Sequence, residues 1–243
     1  MKKLVSIFIN YRQKTLLKLE GYYFLNKKLL FDISSLSKIA LSLLFLTGLM
    51  AQSYEANWES LDSRPTPQWY KDAKFGIFIH WGLYSVPAWG PKGSYAEWYL
   101  NGINRGDSLR LEYHKENYGE GFPYRGFKDL FKAEKYNPDK WAELFENAGA
   151  KYVVLTSKHH DGFCLWPNPQ SKGYNSSESA ARRDLLGDLT EAVRKTDVKM
   201  GFYYSLYEWD NPQYPSNVDT YVNDYMLPQF KDVVQRYKPS IIF

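Results

Sequence analysis

The fold is indicated most directly by one stretch, Tyr152-Val153-Val154-Leu155-Thr156-Ser157-Lys158-His159-His160-Asp161-Gly162. It starts as a continuous apolar run of strand length and ends in rings and polar groups. Three other stretches have the same apolar start: Phe75-Gly76-Ile77-Phe78-Ile79-His80-Trp81-Gly82, Met200-Gly201-Phe202-Tyr203-Tyr204-Ser205, and Ser240-Ile241-Ile242-Phe243. Such runs are typical of a parallel sheet covered on both faces, in which ligands bind where the strands end. The ends of the runs are therefore the candidates for function.

Helical patterns separate these runs. Asn137 is a predicted cap, Pro138 takes the first helical position, and apolar residues follow at helical spacing. Further helices are predicted around residues 185–195 and 218–236. Residues 84–136 show no clean helical period, so we predict a large insertion after the first strand.

The order of elements is βαβαβαβ, which predicts an α/β fold, a partial (β/α)8 TIM-type barrel of about four βα units with parallel strands. A doubly wound sheet would have the same order. However, the first strand is not followed by the Gly-rich turn that binds phosphate in such sheets. The barrel is therefore favoured.

Residues 1–51 are predicted to be a leader. Lys38–Ala51 has the basic start, short apolar core and small final residue of a secretory signal, and is too short for stable membrane insertion. Translation starts later than Met1, or the leader is unusually long. We expect residues 52–67 to form a linker and the protein to be exported, that is, periplasmic, cell-surface or secreted.

The charge distribution argues against nucleic-acid binding, and the cysteine content argues against a fold held by disulfides. The chain of 243 residues has a formal charge of +4, but residues 1–51 hold eight Lys or Arg and two acidic residues, so the remainder carries 23 basic and 25 acidic side chains. Nucleic-acid binding is not expected without a basic folded part. A single cysteine, Cys164, excludes an internal disulfide and is predicted to be a packing residue.

Three of the four histidines, His80, His159 and His160, lie at the ends of predicted strands. One chemistry for them is zinc binding, completed by Glu97, Asp161 or Glu208. Adjacent side chains of an extended strand point in opposite directions, so His159 and His160 share one ion only if the chain turns sharply.

The other chemistry is sugar binding. Imidazole and carboxylate edges bind hydroxyls, and an indole covers an apolar ring face. Glu97 and Asp161 are the candidate carboxylates, and the candidate indoles are Trp81, Trp89, Trp98 and Trp166.

The sequence resembles glycoside hydrolase family 29, the α-L-fucosidases. The likeness rests on Trp69-Tyr70, Lys74 to Gly82, Glu97-Trp98-Tyr99, Trp141 to Phe163 and Gly201 to Trp209. It implies that residues 68–243 are the N-terminal portion of a fucosidase catalytic barrel. It also implies a retaining hydrolase that removes terminal α-linked L-fucose from oligosaccharides or glycoprotein glycans, with no cofactor and no metal.

By the same resemblance, the fucose pocket is lined by His80, Trp81, Glu97, Trp98, His159, His160 and Tyr204. Only one of Tyr203 and Tyr204 faces the barrel interior, because side chains alternate along a strand. Tyr204 is chosen from the family pattern.

The family's nucleophile is an aspartate in an Asp-Gly pair at the end of the fourth strand, which is expected just beyond Phe243, and the acid/base lies further on. We therefore expect this chain to be an incomplete fragment that does not turn over fucosides by itself. The alternative is a non-catalytic carbohydrate-binding remnant.

Overall fold

The computed structural model describes residues 54–243, which belong to two compact units divided after Pro65. The predicted leader, including the signal-like segment Lys38–Ala51, lies outside the described residues.

The described part of the first unit contains one short helix, α1 (Trp58–Asp62). The side-chain oxygen of Asn57 accepts a hydrogen bond from the backbone N–H of Ser60 at 2.8 Å, which caps the helix. The stretch predicted as a linker is therefore partly helical.

Residues 66–243 are organised around one sheet. Its strands are β1 (Gly76–Ile79), β2 (Tyr152–Lys158), β3 (Lys199–Tyr204) and β4 (Ile241–Ile242), paired in that order and all parallel. Consecutive parallel neighbours joined by crossover connections are the arrangement of successive units of a (β/α)8 barrel. The prediction of an α/β, partial TIM-type barrel is confirmed.

The helices of this unit are α2 (Gln68–Asp72), α3 (Tyr99–Asn104), α4 (Ser108–Tyr118), α5 (Pro138–Asn147), α6 (Leu185–Val193), α7 (Val218–Thr220) and α8 (Leu227–Tyr237). A π-helical segment, Tyr221–Met226, joins α7 to α8. None of the helices within residues 54–243 has both the length and the apolar character needed to cross a bilayer.

The predicted crossover helices are confirmed. The Asn137 side chain accepts a hydrogen bond from the Lys140 N–H at 3.0 Å, which fixes the start of α5. Asp184 does the same for α6 through the Gly187 N–H at 2.9 Å. Both helices pack their apolar faces on the sheet and enclose a core that includes Val153, Leu155, Leu186, Leu189 and Phe202.

The insertion between β1 and α5 differs from expectation, because it contains α3 and the 11-residue helix α4. The buried side chains of α4 are Arg110 and His114, which are polar, so its buried face gives no apolar period in the sequence. His114 lies between the Tyr99 hydroxyl, 3.1 Å from its Nδ1, and the Phe122 carbonyl, 2.8 Å from its Nε2. This histidine has a structural role.

Candidate functional site

A sharp turn follows β2 and brings two adjacent histidines together. The Gly162 N–H donates to the His159 carbonyl at 3.1 Å, and Gly162 takes the left-handed conformation (φ 78°) that glycine adopts without strain. The ring centroids of His159 and His160 are therefore only 4.4 Å apart. The sequence alone does not predict whether the chain turns here, and the structure shows that it does.

The end of β1 adds the third histidine to this cluster. The His80 ring lies 5.6 Å from that of His159 and stacks on Phe78 at 5.1 Å. Tyr203 from β3 completes the group, with its ring 5.9 Å from His159 and 6.2 Å from His80. We call His80, His159, His160, Phe78 and Tyr203 the histidine cluster. It lies at the carboxyl edge of the sheet, as predicted for the three histidines.

The hydrogen-bond network fixes the tautomer of His160. The Ser205 hydroxyl has one hydrogen, which it donates to the Tyr207 carbonyl. It must then accept from His160 Nδ1–H, 2.6 Å away. The Nε2 atom of neutral His160 is consequently an acceptor that is left for a ligand hydroxyl.

Two buried polar atoms in this region have no hydrogen-bond partner among the described residues, His159 Nδ1 and Trp209 Nε1. The two rings are 6.4 Å apart. Unpaired buried polar atoms are rare in folded proteins and mark places where a ligand hydroxyl can bind. Both atoms therefore support a polar ligand at the cluster.

Burial, together with the nearby imidazoles of His160 and His80, lowers the pKa of His159 to about 3. Burial also lowers the pKa of His160, while a backbone hydrogen bond at Tyr207 and the charge of Glu97 oppose that shift. His159 is therefore a neutral ring at physiological pH, able to donate one hydrogen bond and accept another.

We expect the imidazole resonances of His159 to stay at the neutral position from pH 8 down to about pH 4 in an NMR titration. Because the pKa of the folded form lies below that of the unfolded chain, this group supports folding above the unfolded pKa, and that support is lost as the pH falls through the folded pKa. The His159→Gln variant identifies the resonance by its disappearance. A titration midpoint near 6.5 would contradict the prediction.

Trp98 and Glu97 reach the cluster from the insertion. They belong to the 3₁₀ turn Ala96–Trp98. The Trp98 ring lies 6.0 Å from His160 and 5.3 Å from Trp209. Glu97 is half-buried and close enough for its charge to act on His160.

The structure does not bring Tyr204 to the cluster. Its hydroxyl donates to Gln229 Oε1 at 2.7 Å and its ring packs 5.3 Å from Phe230, so it faces α8. Tyr203, one residue earlier, points to the opposite face. This placement corrects the choice of Tyr204 over Tyr203.

Trp81 also faces away from the histidines, because it alternates with His80 beyond β1. Its ring packs against Phe131, Tyr136 and Trp141 at 5.0 to 5.4 Å. It lines a separate cleft of about 570 Å³ that contains none of the histidines. The assignment of Trp81 to the pocket is corrected.

The other candidate indoles also pack elsewhere. Trp89 stacks on Tyr113 at 4.3 Å, and Trp166 is completely buried with its Nε1–H donated to Asp232 at 2.8 Å. Cys164 is buried, and burial raises the pKa of its thiol to about 12, which agrees with its predicted packing role.

Two of the three carboxylates considered for zinc or hydroxyl binding, Asp161 and Glu208, are engaged inside the fold. Asp161 is buried and accepts from the Tyr124 hydroxyl at 2.7 Å, and burial raises its pKa to about 7. Glu208 pairs with Lys158 at 2.6 Å. Within residues 54–243, no three His, Cys, Asp or Glu side chains are grouped so that they could hold a metal ion.

The structure adds four residues to the site that were not predicted from the sequence: Phe78, Tyr203, Tyr207 and Trp209. Phe78 could have been found from its two-residue spacing to His80, which places both on one face of β1. Trp209 follows β3 in a loop, where spacing gives no direction, and its backbone N–H reaches the His160 carbonyl at 2.7 Å.

A family model described as Alpha-L-fucosidase matches residues 46–243. The chain belongs to the α-L-fucosidase family. It is 45% identical over 202 residues to tissue alpha-L-fucosidase of Rattus norvegicus, which is 81% of this chain and 43% of that protein. It is 42% identical over 212 residues to the alpha-L-fucosidase of Dictyostelium discoideum, 83% of this chain and 46% of that one.

A crystal structure of the Thermotoga maritima alpha-fucosidase in complex with fucose is similar to this chain at a TM-score of 0.71 and 44% identity. The match covers 79% of this chain and 49% of that one. This chain therefore spans about half the length of the relatives it matches. The resemblance to glycoside hydrolase family 29 is confirmed.

Proposed function

We propose that this chain recognises terminal α-linked L-fucose at the histidine cluster, as the sugar-binding part of a retaining α-L-fucosidase. The observation that carries the proposal is the convergence of His80, His159 and His160 at one edge of the sheet. Membership of the family supports it, as does the fucose complex of the Thermotoga maritima relative.

The chemistry of the cluster suits this sugar. L-Fucose carries ring hydroxyls and a methyl group at C6. Neutral imidazoles offer donors and acceptors to the hydroxyls, and Phe78 and Tyr203, whose rings lie 6.0 Å apart, offer an apolar surface to the methyl. Convergent polar groups beside an apolar surface are what small-ligand sites usually present.

Retention requires two carboxyl groups about 5 Å apart, one attacking the anomeric carbon and one protonating the leaving oxygen. The resemblance assigns neither role to a carboxylate of this chain. We infer that the residues described here bind and orient the sugar for those groups.

The proposal is tested by titrating the protein with L-fucose and with L-galactose in a calorimeter. L-Galactose differs only by a hydroxyl at C6, which would lie against the apolar rings, so we expect it to bind at least about tenfold more weakly. His160→Ala should weaken L-fucose binding by about tenfold or more, because a hydrogen-bonding partner is lost.

The matched control is His114→Gln, which changes the one histidine outside the cluster and should leave the affinity for L-fucose unchanged. Absence of L-fucose binding would refute the proposal, as would an equal loss in both variants. Assay of the same protein with nitrophenyl α-L-fucoside tests whether the chain hydrolyses fucosides, and we expect no turnover by this chain alone.

A further inference from the structure

A buried carboxyl group lies inside the turn that brings the two adjacent histidines together. Asp161 follows His160 directly, and only 1% of it is exposed. Its Oδ1 atom accepts a hydrogen bond from the Phe163 N–H at 3.3 Å, and its Oδ2 atom accepts from the Tyr124 hydroxyl at 2.7 Å. The first bond closes the turn on itself, and the second joins the turn to the insertion.

The bond to Tyr124 leads to the part of the insertion that reaches the histidine cluster. Tyr124 begins a short 3₁₀ segment and is itself buried. Its ring lies 6.4 Å from the ring of Tyr99, which directly follows Trp98. Asp161 therefore connects the turn that carries His159 and His160 with the segment that carries Trp98.

The Asp161 carboxyl group has no ion-pair partner among residues 54–243. The two carboxylates whose charges act on it are paired elsewhere, Glu208 with Lys158 and Asp210 with Arg125. Burying an unpaired carboxylate is costly, and a neutral side chain at this position would avoid the cost. Carboxyl groups in such surroundings are concentrated at functional sites.

Burial raises the pKa of Asp161 to about 7, and the charges of Asp210 and Glu208 add to the shift, while the hydrogen bonds from Tyr124 and Phe163 oppose it. The charge of this carboxyl group therefore changes close to neutral pH.

The other titratable side chains around Asp161 are shifted away from neutral pH. Burial raises the pKa values of the phenol groups above their usual value and lowers those of the imidazoles. These neighbours are Tyr84, Tyr124, Tyr174, His159 and His160. Within this set, Asp161 is the group that changes charge near pH 7.

We propose that Asp161 is a positioning residue for sugar binding: its ionised carboxylate ties the turn after β2 to Tyr124 and so holds His159 and His160 in the arrangement that binds the sugar. A protonated carboxyl group has a hydrogen of its own to donate, which competes with the two donors that already face its oxygens and loosens the turn. This inference rests on the proposed function, because sugar binding at the histidine cluster is its readout.

The first measurement is the affinity of the unchanged protein for L-fucose at pH 6 and at pH 8, by calorimetry. With a pKa of about 7, the ionised fraction of Asp161 rises from roughly 10% to roughly 90% over this interval. If only the ionised form holds the turn, the affinity should rise by up to about ninefold.

Variants assign this dependence to the carboxyl group. Asp161→Asn keeps the shape of the side chain but cannot ionise, so we expect the same low affinity at both pH values. Tyr124→Phe removes one of the two donors that favour the ionised form, so the midpoint of the affinity profile should move to higher pH. Asp139→Asn, at a carboxyl group on α5 that is 69% exposed, is the matched control and should keep the profile of the unchanged protein.

A residue that only supports the fold would lower stability without removing the pH dependence of binding. An affinity of the unchanged protein that is equal at pH 6 and pH 8 would overturn the positioning role while fucose recognition stands. The same conclusion follows if Asp161→Asn keeps the full pH dependence, or if Tyr124→Phe leaves the midpoint in place. If L-fucose binds at neither pH, fucose recognition fails and the positioning role with it.

Discussion

Lys158→Met is expected to lower the free energy of unfolding by about 3–5 kcal/mol, because it removes one member of a buried ion pair. Lys158 and Glu208 have side-chain exposures of 0% and 3%, and their charged atoms are 2.6 Å apart. The change leaves the Glu208 carboxylate buried with only the hydroxyls of Tyr221 and Tyr225, at 3.4 and 3.1 Å, as partners. Chemical denaturation followed by tryptophan fluorescence measures the loss.

Lys195→Met is the matched control. Lys195 pairs with Asp139 at a similar distance, 2.9 Å, but both side chains are 69% exposed, and such pairs contribute about 0–1 kcal/mol. Equal losses in the two variants would show that burial does not govern the Lys158 pair. Adding Glu208→Leu to Lys158→Met should restore part of the stability, since no buried charge is then left unpaired.

The buried Lys158–Glu208 pair also lies next to residues of the candidate site. Lys158 directly precedes His159, and Glu208 directly precedes Trp209. A Cβ atom added to Gly162 would lie only 2.6 Å from Glu208 Oε1, so the Glu208 carboxylate packs directly against this glycine. The pair therefore holds both the turn that contains His159 and His160 and the loop after β3 that carries Trp209.

Phe127→Ala should lower the free energy of unfolding by about 3–5 kcal/mol, the usual range for removing a buried phenyl ring. Phe127 is completely buried, and its ring lies 4.8 to 5.9 Å from five others, those of Tyr99, His114, Tyr118, Phe122 and Tyr124. Thermal unfolding monitored by near-ultraviolet circular dichroism, which reports aromatic packing, is the suitable measurement.

Phe75→Ala is the control for this prediction. Phe75 is 49% exposed, so its replacement should lower the free energy of unfolding by less than half as much. A loss at Phe127 no larger than that at Phe75 would mean that the aromatic cluster of the insertion does not contribute to stability.

Local sequence signals predicted much of the barrel portion. A cap such as Asn137 followed by Pro138 fixes a helix start whatever the surroundings, and a run such as Tyr152–Leu155 has few alternatives to a buried strand. Helix α4 was missed because its buried side chains, Arg110 and His114, are polar and therefore give no apolar period in the sequence.

For the candidate site, too, one part could be predicted from the sequence and another part only from the tertiary structure. The sequence by itself determined that His80, His159 and His160 lie at one edge of the sheet, because parallel strands end there. The tertiary structure decided that a turn after β2 brings the rings of His159 and His160 together. Only the tertiary structure decided that Tyr203 and not Tyr204 joins them and that Trp81 does not. A strand covered on both faces is apolar on both, so its sequence does not tell which face is inner, and packing against α8 and the insertion makes that choice.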